Sequence, residues 1–428
     1  MSLARACCGL ALCAASWPAS QELSPETLLL ARIKVHMEEN LKRLPNYTCL
    51  QTVERSRRLA PARRFELVDI LRLEVALIGR KELFSWPGEE KFQEADIFDF
   101  VQGGAIGNGN FGLHAYSIFL GHGPVFSYAG ERDREGRKTV RYDYRVPLPS
   151  SGYRIRVPPK EATVSYHGSI WVDAATLDLV RLEVQADDIP PDLGLSAAAN
   201  TIEYGRVMIG DTAFLLPQSS ELLMTDLAGN ESRNRVRFSD CRQFTGESYL
   251  SFGDPPVTAP AAREPVREIR LPAGLSLALE LEGEIHSSKS LVGDPVTARV
   301  SKDVKKGGVV WVPRGARVKG RIVRMERIHG KQPTFILGLH FQTLEFDGKR
   351  GSFDAQVEYV ASFLQPTRPV GVRYQSQRSP GEAVFVGDSL SERRPGLFQF
   401  RVDGDSVYLP RGFLMMWKTA GPSVPEKP

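Results

Sequence analysis

Residues able to do chemistry are sparse in this sequence, and their spacing argues against most of it. Gly107-Asn108-Gly109-Asn110-Phe111-Gly112 matches a G-x-G-x-x-G string. Such a string cradles pyrophosphate only between a strand and a helix of a βαβ unit. No strand pattern leads in and no helical pattern leads out, so the segment reads as a flexible loop. No Gly-Lys-Ser/Thr of a phosphate-binding loop occurs, and no G-x-S-x-G elbow presents a nucleophile. The 7 histidines are scattered. His114 and His122, the nearest pair, sit in a Gly- and aromatic-rich stretch without carboxylates, whereas a zinc or iron site needs three or four converging ligands. Asp187-Asp188 and Glu89-Glu90 adjoin loop residues and read as solvated. The expectation is therefore no enzyme, no metal and no cofactor.

The charge balance excludes a further class. Lys and Arg number 55 against 51 Asp and Glu, a net of +4 with the signs interleaved, which leaves no footprint for nucleic acid. Local basic runs, Arg55, Arg57, Arg58, Arg63 and Arg64 and then Arg233, Arg235 and Arg237, read as solvated faces, with peripheral contact to anionic lipid head groups or glycan as the sharper alternative. Asn46-Tyr47-Thr48 is a formal glycosylation sequon that matters only in a eukaryotic secretory pathway.

The N-terminal residues read as an export signal. Arg5 is the only charge before Glu22, and residues 6–15 are small and apolar, too short to span a bilayer. Leu12 is too large for the position before a lipidated cysteine, which argues against lipidation at Cys13. Once the signal leaves with Cys7, Cys8 and Cys13, Cys49 and Cys241 remain of the 5 cysteines. An even pair in an oxidising compartment predicts a disulfide.

The elements needed to position anything are mostly strands. Ser24-Pro25-Glu26 opens a helix with a hydroxyl cap, a proline at the first helical position and an acid at the positive end of the dipole. Leu30, Ile33, Met37, Leu41 and Leu44 give it one apolar stripe before Pro45 ends it. Alternation of period two follows at 65–77, broken on its apolar side only by Asp69. It recurs at 164–172 and 180–186, a hairpin, and further strands are expected at 201–208, 214–225 and 233–244. Residues 251–264 are rich in proline and small residues and read as a linker. Beyond it strands resume at 275–281, 296–300, 335–341 and 353–359. Leu271-Pro272-Ala273-Gly274, Val312-Pro313-Arg314-Gly315 and Leu409-Pro410-Arg411-Gly412 repeat an apolar-Pro-x-Gly turn and predict equivalent corners of one small barrel. The Pro-, Gly-, Ser- and Arg-rich stretch 365–395 is expected to be a mobile or contact insertion.

Tyr166-His167-Gly168-Ser169-Ile170-Trp171-Val172-Asp173, followed by Leu179-Val180-Arg181-Leu182-Glu183, resembles the periplasmic lipoprotein-carrier and lipoprotein-sorting superfamily. The opening helix and Val236 to Phe244 fit the same resemblance, over roughly residues 24–246. It implies an unclosed β half-barrel with covering helices, whose concave apolar face binds acyl chains. The segment 98–128 departs from that pattern. The corner motifs with Ile285-His286-Ser287, Gly293-Asp294-Pro295-Val296 and Val318-Lys319-Gly320 are similar to the C-terminal barrel of TrbI-like conjugation scaffold proteins.

These readings give a mainly β, α+β chain: a signal peptide at 1–20, a half-barrel at 21–250, a linker at 251–267, a small β-barrel at 268–418 and a disordered tail at 419–428. The expected function is that of an exported bacterial envelope protein, periplasmic or associated with the outer membrane. It would hold a lipid or other apolar ligand through Met37, Leu71, Leu73, Val75, Ile170, Val172, Leu182 and Val184. Its second barrel would dock to an envelope partner. The alternative is an assembly component of an envelope or secretion complex with no ligand.

Overall fold

A computed structural model describes residues 23–89, 92, 97–100, 105–134, 136–157, 159–244, 267–328, 334–360, 383–387, 397–402 and 407–420. The expected signal, the linker up to 266, most of the 365–395 insertion and the tail beyond 420 lie outside these residues. The fold is mainly β.

The helix α1 (Pro25–Arg43) begins where the sequence places it, with Ser24 accepting from the Thr27 backbone N–H at 3.3 Å. Its buried stripe is Ile33, Met37 and Leu41. Twelve strands follow in the first unit: β1 (Tyr47–Arg58), β2 (Glu66–Ile78), β3 (Lys81–Ser85), β4 (Val125–Arg134), β5 (Arg137–Val146), β6 (Arg154–Val157), β7 (Lys160–Thr163), β8 (Tyr166–Asp173), β9 (Leu179–Ala186), β10 (Leu195–Ile209), β11 (Thr212–Asp226) and β12 (Glu231–Gln243). Ten of them form one antiparallel sheet in the order β3-β2-β1-β12-β11-β10-β9-β8-β5-β4, while β6 and β7 make a separate hairpin. The sheet is a curled half-barrel. Two short helices, α2 (Ile97–Phe100) and α3 (Leu113–Leu120), lie between β3 and β4. Cys49 in β1 and Cys241 in β12 form a disulfide, as expected, across two strands already paired along their length.

Asp69 interrupts the apolar alternation of β2 for a physical reason. It faces Arg55 across the β1–β2 pair and accepts from the guanidinium Nε at 2.7 Å, with both side chains buried. Arg55 therefore does not belong to a solvated basic face. Arg58 pairs with Glu231, Arg235 with Glu221 at 2.9 Å, and Arg233 stacks 3.9 Å from the Phe65 ring centroid. Arg63 and Arg64 are exposed. Half of the eight arginines of the expected basic surface are consumed by internal pairing or stacking.

The second unit is also antiparallel save for one parallel edge pair, Arg267–Ile269 beside Lys349–Ser352. Leu277, Leu279, Val300, Val318, Leu339, Phe341 and Trp417 fill its core. Its three corner motifs are equivalent in detail. Gly274, Gly315 and Gly412 each adopt positive φ, at 78°, 87° and 83°. Each donates its N–H at 2.8 Å to a carbonyl of a neighbouring segment, of Thr419, Val300 and Leu281 respectively.

The two units meet at an unfinished sheet edge. β3 pairs with Glu74 to Ile78 of β2, so among the described strands none lies on that side beside Ile70 and Arg72. Val292 fills the gap: its N–H donates to the Ile70 carbonyl at 3.0 Å, and its carbonyl accepts from the Arg72 N–H at 2.8 Å. Unpaired edge groups that are buried must find such partners. Beside the bridge Arg321 reaches Glu89 at 2.7 Å and lies over the Trp86 ring. One continuous apolar cluster runs from Leu71, Leu73 and Trp86 into Leu277, Val292 and Trp417.

Two measurements test these features. Asp69→Ala strands a buried guanidinium without its carboxylate, and chemical denaturation is expected to show a loss of about 3–5 kcal/mol; a loss below 1 kcal/mol would mean the pair is solvated. Gly293 has φ +102°, and a Cβ there would stand 2.4 Å from the Arg72 carbonyl oxygen. Gly293→Val should therefore uncouple the units and split a single thermal transition into two. An unchanged melting curve would rule out a coupling seam.

Candidate functional site

The cavity with both apolar and hydrogen-bonding walls sits at the rim of the half-barrel, and one carboxylate builds its roof. Glu82 on β3 turns inward and accepts four backbone N–H groups: Gly109 at 2.7 Å, Gly112 at 2.9 Å, Phe111 at 3.1 Å and Leu113 at 3.3 Å. Burial pushes the Glu82 carboxyl up from its ordinary value, and the four N–H groups pull it back only in part. The α3 helix has no side-chain cap of its own at Gly112, so Glu82 supplies the acceptor that the orphan N–H groups of a helix start require. The Gly107–Gly112 string is thus an ordered segment leading into a helix, contrary to the flexible loop expected from sequence. Three of its amides, those of Gly109, Phe111 and Gly112, are occupied by the Glu82 carboxyl.

Polar residues from four more strands fix the same segment. Asn110 donates to Ser220 Oγ on β11 at 3.0 Å and accepts from Asn200 on β10; Asn234 on β12 donates to the Ala105 carbonyl at 3.0 Å. Tyr47 donates to the Phe111 carbonyl at 3.3 Å. Asn200, Ser220 and Asn234 are all buried on the concave face, and Asn200, Leu222 and Asn234 share one row across β10, β11 and β12. Alternation alone reads such polar residues as outward or accidental. Their signal in the sequence is only that each falls on the apolar side of its strand.

Beneath this roof lies a cavity of about 350 Å³. Phe98, Ile106, Leu113, Ile155, Leu222 and Met224 give it apolar walls, and Arg154, Arg156 and Glu161 of the β6–β7 hairpin line its polar side. Tyr153 packs edge-on against both His114 and Tyr166, with centroids 5.6 and 5.7 Å apart, and Tyr166 shares a hydrogen bond with Ser117 at 2.8 Å. His114 is the chemically notable residue. It is 8% exposed, its Nε2 has no hydrogen-bond partner among the described residues, and it lines the cavity. Burial pulls its pKa down to about 4, so the ring is neutral near pH 7. A larger recess of about 680 Å³ lies across the ladder of Arg181, Glu203, Glu221 and Arg235. There Arg181 pairs with Glu203 at 2.9 Å and Arg235 with Glu221, which leaves little for a ligand to bind.

The expected lining residues fall elsewhere. Met37, Ile170, Val172, Leu182 and Val184 pack with the helix stripe in one core. Leu71, Leu73 and Val75 belong to another, shared with the second unit. All eight are at most 1% exposed. Ile170 and Leu71 stand in one row of the sheet but six strands apart, about 4.8 Å per step. The eight residues thus lie in two packed cores and do not line the rim cavity: alternation identifies the inward face and cannot say which inward residues leave a space between them.

His114 makes a pH prediction. An unfolded histidine takes up a proton near pH 6.5 and the folded one only near pH 4. Its contribution is therefore complete above pH 6.5 and lost as pH falls toward 4. Between pH 7 and 4.5 it should remove about 2 kcal/mol. Comparison of unfolding free energies with His114→Phe should show that much less acid sensitivity in the variant, and parallel profiles would exclude a buried neutral imidazole.

No family model matches the sequence, and no curated protein matches it. Among solved structures, it is similar to an assigned outer membrane lipoprotein-sorting protein domain from Vibrio parahaemolyticus, at 13% identity over 50% of this chain and 92% of that one, with a TM-score of 0.29. It is also similar to a DUF1329 family protein from Desulfovibrio piger, at 12% identity over 51% of this chain and 92% of that one, with a TM-score of 0.28.

Proposed function

We propose that this chain is an envelope protein that holds an amphiphilic ligand, apolar in its body and hydrogen-bonding at one end, in the rim cavity of the half-barrel. The observation that carries this reading is the buried His114 Nε2, unpartnered among the described residues and lining a cavity walled by apolar and aromatic side chains on one side and by Arg154, Arg156 and Glu161 on the other. A buried polar atom without a partner is unfavourable by about 1–3 kcal/mol, and a ligand that donates or accepts at that nitrogen removes the deficit. The apolar walls supply affinity and the few polar groups orientation. The composition of the N-terminal segment and the disulfide support export, and docking to an envelope partner is proposed for the second unit.

The test uses N-phenyl-1-naphthylamine as an apolar reporter and mass spectrometry of lipid extracts of the protein purified from its own envelope. The wild-type chain should enhance the dye's fluorescence and carry an amphiphile. Ala198→Phe, which projects a ring into the cavity from β10, should reduce dye affinity at least about tenfold, corresponding to roughly 1.4 kcal/mol, with native secondary structure retained. Equal dye binding by Ala198→Phe, or an extract free of amphiphile together with no dye response, would overturn the reading.

A further inference from the structure

The hairpin formed by Val304–Lys306 and Val309–Val312 stands apart from the main sheet of the second unit, as a two-stranded sheet of its own. Its base is rooted: Val304 and Val312 pair with one another and are buried in the core. Its tip is bare. Val309 is 59% exposed, Val310 45% and Trp311 37%. Around these apolar residues stand Lys302, Lys305, Lys306 and Arg314, all exposed, against a single carboxylate, Asp303. Asp303 is engaged within the turn, accepting from the Arg314 N–H at 2.8 Å, and Lys306 Nζ lies 2.9 Å from the Ala273 carbonyl.

The register sets the geometry of the tip. Lys306 lies opposite Val309 and Lys305 opposite Val310 on either side of Gly307-Gly308, and the register shift at the base leaves Trp311 without a cross-strand partner. Neighbouring residues of a strand point to opposite faces, so each face of the hairpin carries one valine with one lysine. A protein groove would cover one face and leave the other valine in water. A bilayer interface surrounds a tip on both faces. Tryptophan favours that interface, lysine stems lie along apolar surface while their heads reach outward, and anionic head groups attract cations clustered beside them.

We infer that this hairpin is a membrane-docking element of the second unit, in which Val309, Val310 and Trp311 enter the interface of an anionic bilayer and Lys302, Lys305, Lys306 and Arg314 contact its head groups. The inference goes beyond the cavity reading, since docking needs no ligand in the cavity.

The test is sedimentation of the full chain with vesicles of phosphatidylcholine and phosphatidylglycerol in a two-to-one mixture, and with phosphatidylcholine alone. Every protein compared carries the same N-terminal apolar run, so differences report the hairpin. The wild type should bind the anionic vesicles more tightly than the neutral ones. The double variant Lys305→Glu/Lys306→Glu should lose at least about tenfold in partitioning to the anionic vesicles. Brominated acyl chains should quench part of the tryptophan fluorescence, and Trp311→Phe should remove that part while the other four tryptophans remain. These side chains are exposed, so an unchanged melting temperature is expected and serves as the folding control. The inference fails if the wild type shows no preference for anionic vesicles, if charge reversal leaves binding unchanged, or if Trp311→Phe leaves the quenched part of the fluorescence unchanged. Retention by a protein partner without vesicle binding would also end it.

Discussion

The rim of the half-barrel depends on one constraint: a segment of irregular backbone runs through its interior, and each polar group of that backbone needs a partner away from water. Glu82 meets most of the demand, with four N–H groups converging on one carboxyl. Asn200, Ser220 and Asn234 serve Asn110 and the Ala105 carbonyl. These partners come from β3, β10, β11 and β12, so the segment is fixed only when the sheet is complete. A glycine-rich stretch that would bind an external anion in another setting is satisfied here by an internal one.

The same accounting explains how the two units become one body. β2 outruns β3, and the backbone left over is completed by Val292 from the second unit. Around that short bridge the apolar residues of both units merge into one cluster, closed at the side by Arg321 between Glu89 and Trp86. Deformation of the seam is therefore felt on both sides, because a packed core transmits strain rather than absorbing it.

Much of this was legible before the structure, and what was not shares a cause. The opening helix, the 166–186 hairpin, the Cys49–Cys241 bridge and the three Pro-x-Gly corners all follow from local rules of capping, alternation, pairing of an even cysteine count and turn chemistry. Asp69, Arg55, Asn200, Ser220 and Asn234 were opaque because each sits on an inward face for the sake of a partner distant in sequence. The α3 helix was missed for a similar reason. Leu113–Leu120 is short and carries no capping side chain of its own, and its start signal, Glu82, lies thirty residues upstream on a different element.

These long-range choices also decide the character of the cavity. A half-barrel that does not close leaves a rim where inward apolar residues have no opposite wall. Had a second apolar helix filled that gap, the interior would be sealed core like the packing of α1 over Ile170 and Leu182. The gap is instead roofed by backbone, and backbone brings hydrogen-bonding groups and the residues needed to satisfy them. The cavity that remains is mixed in consequence: Leu222 and Met224 look up from the sheet, while His114 looks in from the roof with a nitrogen the roof does not satisfy. A purely apolar molecule would leave that nitrogen unmet, and a purely polar one would waste the aromatic wall of Tyr153 and Tyr166. The amphiphilic ligand proposed for this cavity is thus matched to how the open rim is closed.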